Sequence, residues 1–424
     1  MATPRRRHRW RWWYLCALLA CGTNLACSSA SGENLSASSP PDATSPLTTR
    51  PAVTDEPDQS GTDQPKTTPV APATTPATTP SEGVYSHTGV GQMSRAVRNA
   101  KNYVYVPSND DGSVTVIDQA TMQIVKHYKV GRLVQHVVAS WDLTKLYATV
   151  SDSNRLVEID PTTGDKGPSV QVAAPYNLYF TPDGSTAVVM AERLNRIDFY
   201  DRSTWKLRHS VDVPCKGVNH ADWSADERWF VATCEFSGQL VKVDTATGTL
   251  LGTVALPAGS MPQDVRLAPD GTKFYVADME HGCVWIVNAD GTEVIGSIET
   301  GVGAHGIYPS RDASLMYVTN RGRMEHDVRR KSKPGDGSVS VIDPKTDTVV
   351  ATWHLPNGGS PDMGGVSADG KRLWLSGRYD SVVYVFDTTT GNLVATIPVP
   401  PGPHGLDVFP QPGRYSLGHT GNYR

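Results

Sequence analysis

At 424 residues the chain has the length of two average domains, or of one repeat fold, which runs longer as a single unit. It carries 39 basic and 43 acidic residues, a formal net charge of −4; without Arg5, Arg6, Arg7, Arg9 and Arg11 the remainder carries −9. A body that acidic exerts no general pull on nucleic acid or anionic lipid, so neither is a default partner.

Residues 5–11 form a basic stretch, residues 12–20 an apolar run, and no acid interrupts them, the make-up of an export signal. The apolar run is about half of the ~20 residues a membrane-crossing helix needs. It ends in Leu18, Leu19, Ala20 and Cys21, which resembles a bacterial lipobox. Residues 1–20 are therefore read as a lipoprotein signal peptide, cut before a lipidated Cys21. The expected location is the outer side of the cytoplasmic membrane, held by the lipid anchor alone. Simple secretion is the alternative, and Cys27 is a second, poorer site. Arg5 and Arg6 raise twin-arginine export, although the residues after them match that signal poorly. In such an oxidising compartment Cys27, Cys215, Cys234 and Cys283 allow three pairings, among them Cys215 with Cys234, and isolated buried thiols remain the alternative.

Residues 21–82 form a linker in which Ser, Thr, Pro and Ala dominate from residue 28 onward, with near-repeats such as Ala73, Thr74, Thr75, Pro76, Ala77, Thr78, Thr79, Pro80. Without aromatic residues it cannot bury enough apolar surface to offset the entropy of ordering, and it reads as a disordered stalk. As a flexible coil it would reach about 40 Å.

From residue 100 one pattern recurs: a turn, a Tyr/Val strand, a loop, a strand ending in Asp, a Thr-Gly type turn and a Val/Ile strand. The turn marker falls at Ala100, Asp142, Asp183, Asp226, Asp270, Asp312, Asp369 and Gln411, at intervals of 42, 41, 43, 44, 42, 57 and 42 residues. Seven blade-sized intervals predict an all-β, seven-bladed β-propeller of four-stranded blades over residues 83–424, expected to be a monomeric domain. A second column, Asp118, Asp160, Asp201, Asp244, Asn288, Asp343 and Asp387, ends the strand before each Thr-Gly turn, where short polar side chains bond to the turn backbone. An innermost strand appears again at residues 405–409 and is expected to return to the first blade; residues 92–99 compete for that slot. Residues 412–424 would pack beyond the closure.

Tyr317, Val318, Thr319 and Asn320, followed by Gly337, Ser338, Val339, Ser340, Val341, Ile342 and Asp343, resemble the YVTN propeller repeat. The match covers residues 100–410, and stretches 175–184, 303–310, 359–378 and 403–418 look like an exported, YncE-like subgroup. The resemblance implies the seven-bladed fold, of the type seen in quinoprotein amine dehydrogenases. It leaves function open, since similar propellers serve as surface-layer modules, lactonase-like enzymes and parts of quinoprotein dehydrogenases. The departure from the pattern is a long sixth-blade loop, residues 321–337, with Arg321, Arg323, Arg329, Arg330, Lys331 and Lys333 as a grip for an anionic partner.

Loops that lead into the innermost strands converge on one face, so two adjacent polar columns should surround the channel mouth. The first is Gln135, Tyr176, Asn219, Gln263, His305, Asp362, His404; the second is His136, Asn177, His220, Asp264, Gly306, Met363, Gly405. Three readings follow: a water-filled mouth, a funnel for a small polar ligand, or a divalent metal held by His136, His220, His305 and His404. Alternation along a strand would point the two columns different ways. Arg378 joins the ligand set from the loops after the Tyr/Val strands, on the same face. Glu192, Glu235 and Glu280 from those loops, with His220, supply the acid and base groups that a lactonase-like hydrolase would use. No haem-attachment motif, phosphate-cradling loop or nucleophile elbow is present. The sequence thus reads first as a binding module, without a required cofactor, for an envelope protein, a polysaccharide or a small polar ligand.

Overall fold

The computed structural model describes residues 83–322, 335–419 and 421–424. The signal peptide, Cys21, the linker of residues 21–82 and the basic side chains Arg323, Arg329, Arg330, Lys331 and Lys333 lie outside the described residues.

Each repeat becomes a four-stranded antiparallel sheet, and seven such sheets form the blades. Burial falls from the inside outward. Innermost strands such as Val134–Ala139, Val218–Trp223 and Pro262–Leu267 are buried on both faces, whereas outermost strands such as Ile124–Lys129 are largely exposed. A single blade cannot cover its two apolar faces alone, so the cores form between blades. Val104, Val106 and Ile117 of the first blade pack on Trp374, Val383 and Val385 of the seventh, and the other six interfaces repeat the arrangement.

Short carboxylates fix the tight turns. Asp160 accepts the N–H two residues on, of Thr162, and Asp244 the N–H three residues on, of Thr247, each at 2.8 Å. The Asp column is structural punctuation.

The ring closes through the C-terminal strand. Asp407–Phe409 pairs antiparallel with Tyr103–Ser108, placing Phe409 opposite Tyr103 and Val408 opposite Val104. Residues 92–99 do not take that slot; they contain the short 3-10 turn Arg95–Val97, whose Val97 packs between the first two blades.

The tail differs from expectation. Instead of packing beyond the closure it folds back into the channel. Ser416 bridges Tyr423, the Phe180 N–H donates to Leu417 O at 2.8 Å, and Asn422 donates to Asp222 at 2.8 Å. Gly418, at φ +127°, runs so close to the third blade that a Cβ would stand 2.5 Å from Leu178 O, a fit only glycine allows. The apolar residues Leu417 and Tyr423 give the reason: both are almost wholly buried there, as they could not be on the outside of the ring.

Candidate functional site

The two polar columns coincide with a repeated break in strand pairing. The ladder between innermost strand and its neighbour is interrupted between Val134 and Val137, Val218 and Ala221, Pro262 and Val265, Ala304 and Ile307, and Pro361 and Gly364. The skipped residues are the column pairs themselves. A bulge suspends the strict up-and-down alternation, so neighbouring residues can both address the channel axis. In four blades a hydroxyl of the next strand anchors the bulge: Thr149, Thr233, Thr319 and Ser376 accept the N–H of His136, His220, Gly306 and Met363 at 2.8–3.2 Å. This corrects the expectation that the columns diverge: the His136 and His404 rings, from different columns, lie 4.7 Å apart, and those of His220 and His305 6.1 Å apart.

The first column and the loops above it enclose a cavity of about 230 Å³, lined by Gln135, Tyr176, Glu192, Glu235, Phe236, Gln263, His305, Arg321, Arg378 and His404. The basic wall is tied to an acid. Arg321 Nε donates to Asp362 Oδ1 at 2.7 Å, and His305 Nδ1 stands 3.2 Å from the same oxygen. Arg378 has no such tie: its buried Nη1 finds no hydrogen-bond partner among the described residues. On the acidic side, burial and the neighbouring Glu235 push Glu192 up to about 8, so that it is a neutral carboxylic acid at pH 7. Burial also raises Glu235, whose carboxylate accepts from Asn219 Nδ2 at 2.8 Å.

Several expected site residues stand elsewhere. Asp264 accepts the backbone N–H of Val265 and, in the next blade, of Ile307, each at 3.0 Å, and faces Arg266. It staples blades together and does not line the cavity. Asn177 accepts the Leu178 N–H and donates to Tyr179 Oη, again a structural use. Asn219 sits beneath the cavity, linking Glu235 to His220. Glu280 is exposed on the rim and is not part of the cavity wall. His220 and His136 lie below the cavity floor, in the channel throat.

In the throat they meet His419, which no repeat column could have revealed. Ring centroids are 4.1 Å apart for His136 and His419, 4.9 Å for His220 and His419, and 5.6 Å for His136 and His220. Burial holds all three imidazoles neutral; His220 is lowered to about 3. Both ring nitrogens of His136 and His419, and Nε2 of His220, are buried without a hydrogen-bond partner among the described residues. Each such orphan costs about 1–3 kcal/mol. Two groups can thus hold a metal ion, His136 with His220 and His419, and His305 with Asp362 and His404. Cys215 and Cys234 are joined by a disulfide beside the fourth blade's funnel loop, while Cys283 is a buried free thiol.

A family model described as a YNCE-like β-propeller matches residues 84–413. Among solved structures the chain is similar to a functionally unknown protein from Desulfotomaculum acetoxidans, at 17% identity and a TM-score of 0.59, over 72% of this chain and 98% of that one. It is similar too to a putative 6-phosphogluconolactonase from Bacteroides uniformis, at 17% identity and a TM-score of 0.56, over 72% and 99%. Hydrazine synthase from Kuenenia stuttgartiensis aligns at 17% identity and a TM-score of 0.52, over 63% of this chain and 87% of that one. At these identities the likeness is one of fold. No curated protein is matched to the chain.

Proposed function

This chain belongs to the YNCE-like β-propeller family, and we propose that it is a non-catalytic binding protein whose channel mouth receives a small polyhydroxylated carboxylic acid, such as a sugar acid. The observation that carries the reading is Arg378, a guanidinium whose buried Nη1 has no hydrogen-bond partner among the described residues, on the wall of a cavity of about 230 Å³. A planar fork of that kind suits a carboxylate. In the same cavity wall, protonated Glu192, Gln135 and Gln263 offer donors and acceptors to hydroxyl groups. The ligand would displace little structure, because Arg321 is already held by Asp362.

The cellular setting is part of the proposal. The basic and apolar residues 5–20, Cys21 and the stalk of residues 21–82 support an exported propeller tethered by a lipid. The Cys215–Cys234 disulfide agrees with an oxidising compartment. Replacing Cys21 by Ala should move the protein from the membrane to the soluble fraction; unchanged membrane retention counts against the anchor. Binding is tested by titration calorimetry with glucuronate as the probe and glucose as the neutral control. Saturable heat with glucuronate alone supports the reading, and equal or absent heats refute it.

One observation favours a second reading, a lactonase-like hydrolase: Glu192 is held near 8, where a carboxyl group can serve as a general acid or base at neutral pH. Turnover of glucono-δ-lactone above the spontaneous rate, lost in Glu192→Gln, would replace binding by catalysis. His220 does not belong to that machinery, since it lies under the cavity floor.

A further inference from the structure

We propose that His136, His220 and His419 form a zinc site in the throat of the channel, in which the C-terminal segment supplies the third ligand and the metal fastens that segment into the ring. The site shares no residue with the ligand cavity wall, although the His136 ring lies 4.7 Å from that of His404.

Three observations support it. One ligand nitrogen from each of the three buried residues lies within 4.8 Å of the other two. A tetrahedral ion with Zn–N bonds of about 2.0–2.1 Å needs separations of about 3.4 Å, which rotations of the rings can reach. The unpartnered nitrogens also converge: His136 and His419 each present two, and His220 presents Nε2. Finally, His220 is oriented from behind. Its Nδ1 lies 3.0 Å from Asn219 Oδ1, which already accepts from Thr233 Oγ1 at 2.6 Å. With Nδ1–H donating to the amide oxygen, the lone pair of Nε2 is left facing the cluster, the arrangement that zinc-ligating histidines use.

The second group is the weaker cation site. Arg321 Nε donates to Asp362 Oδ1 at 2.7 Å and Arg321 Nη2 lies 3.4 Å from His404 Nε2. A guanidinium already supplies the positive charge between those residues. Among the described residues no lysine or arginine is paired with the imidazoles of the throat as Arg321 is with His404, and the nearby Arg266 faces Asp264. Three imidazoles leave one tetrahedral position for water or for a group reaching down from the cavity.

The experiment is zinc titration of the metal-stripped full chain, read by elemental analysis after gel filtration and by the thermal midpoint. One zinc per chain is expected, with a midpoint that rises on zinc addition. His419→Gln should lose both while keeping the far-ultraviolet spectrum of the propeller; His305→Gln should keep both. Asn219→Ala should weaken zinc binding about 10- to 100-fold. Absence of stoichiometric zinc in the unaltered chain overturns the proposal. So does zinc retained by His419→Gln, or lost by His305→Gln alone. If His419→Gln fails to fold, His220→Gln takes its place with the same two outcomes.

Discussion

At its mouth the channel carries guanidinium and carboxyl groups around an open cavity. One residue deeper along the same strands it is packed with neutral imidazoles and filled from the far side by the C-terminal segment. Both regions are drawn from the same bulge, repeated around the ring. What separates them is what sits next to the bulge: variable loops bearing Glu192, Glu235, Arg321 and Arg378 at the mouth, and a non-repeating tail in the throat. The repeat supplies position, and the irregular segments supply chemistry.

Four variants can break or sharpen that contrast. The largest effect is expected from Asp222→Ala, which removes the acceptor for Asn422 at 2.8 Å, for Leu267 N–H at 2.7 Å and for Arg424 at 3.2 Å. Among the described residues the buried Arg424 guanidinium would keep the Trp223 and Ser224 carbonyls but only the distant Glu227, 3.8 Å away, as a carboxylate, which should cost about 3–5 kcal/mol in urea unfolding. A loss below about 1 kcal/mol would mean that the tail does not brace the throat. Next, replacing Cys215 and Cys234 together by Ser opens a loop of sequence separation 19 and should cost about 2–4 kcal/mol under oxidising conditions. The same urea experiment under reducing conditions should erase the difference.

Thr233→Val tests the bulge itself. It deletes the acceptor of the His220 N–H and the donor to Asn219 Oδ1, for an expected loss of about 1–3 kcal/mol. An unchanged stability would show that the bulge holds without its hydroxyl. The last variant, at Glu192, is read from a pH slope. Its folded value of about 8 lies above its ordinary value of 4.5, so the folded state binds more protons between those values. Its contribution is complete below pH 4.5 and is lost as pH rises toward 8. Glu192→Gln should flatten the fall of the thermal midpoint from pH 5 to 8; an identical slope would place the residue in water.

The seven blades were legible because a short polar turn residue recurs at a blade-sized interval and bonds to the backbone of its own turn. The position of the mouth was legible for the same reason, since a column in the repeat becomes a ring in space. Both columns reaching the channel could not be read, because a bulge leaves no mark in the alternation of a strand whose faces are both buried. Asp264 and Asn177 looked like ligand groups, but Asp264 bonds the backbone of the next blade and Asn177 its own strand neighbours, partnerships that no repeat column reveals. His419 was invisible to any argument from periodicity. It stands alone beyond the last repeat, and only the close approach allowed by Gly418 carries it to His136.

Arg378 is the centre of the proposed carboxylate site, and the affinity for glucuronate in the unaltered chain and in Arg378→Ala tests that role most directly. Arg378→Ala should weaken binding tenfold or more, about 1.4 kcal/mol, while leaving the thermal midpoint unchanged. Equal affinities in the two proteins would contradict a carboxylate site at the channel mouth.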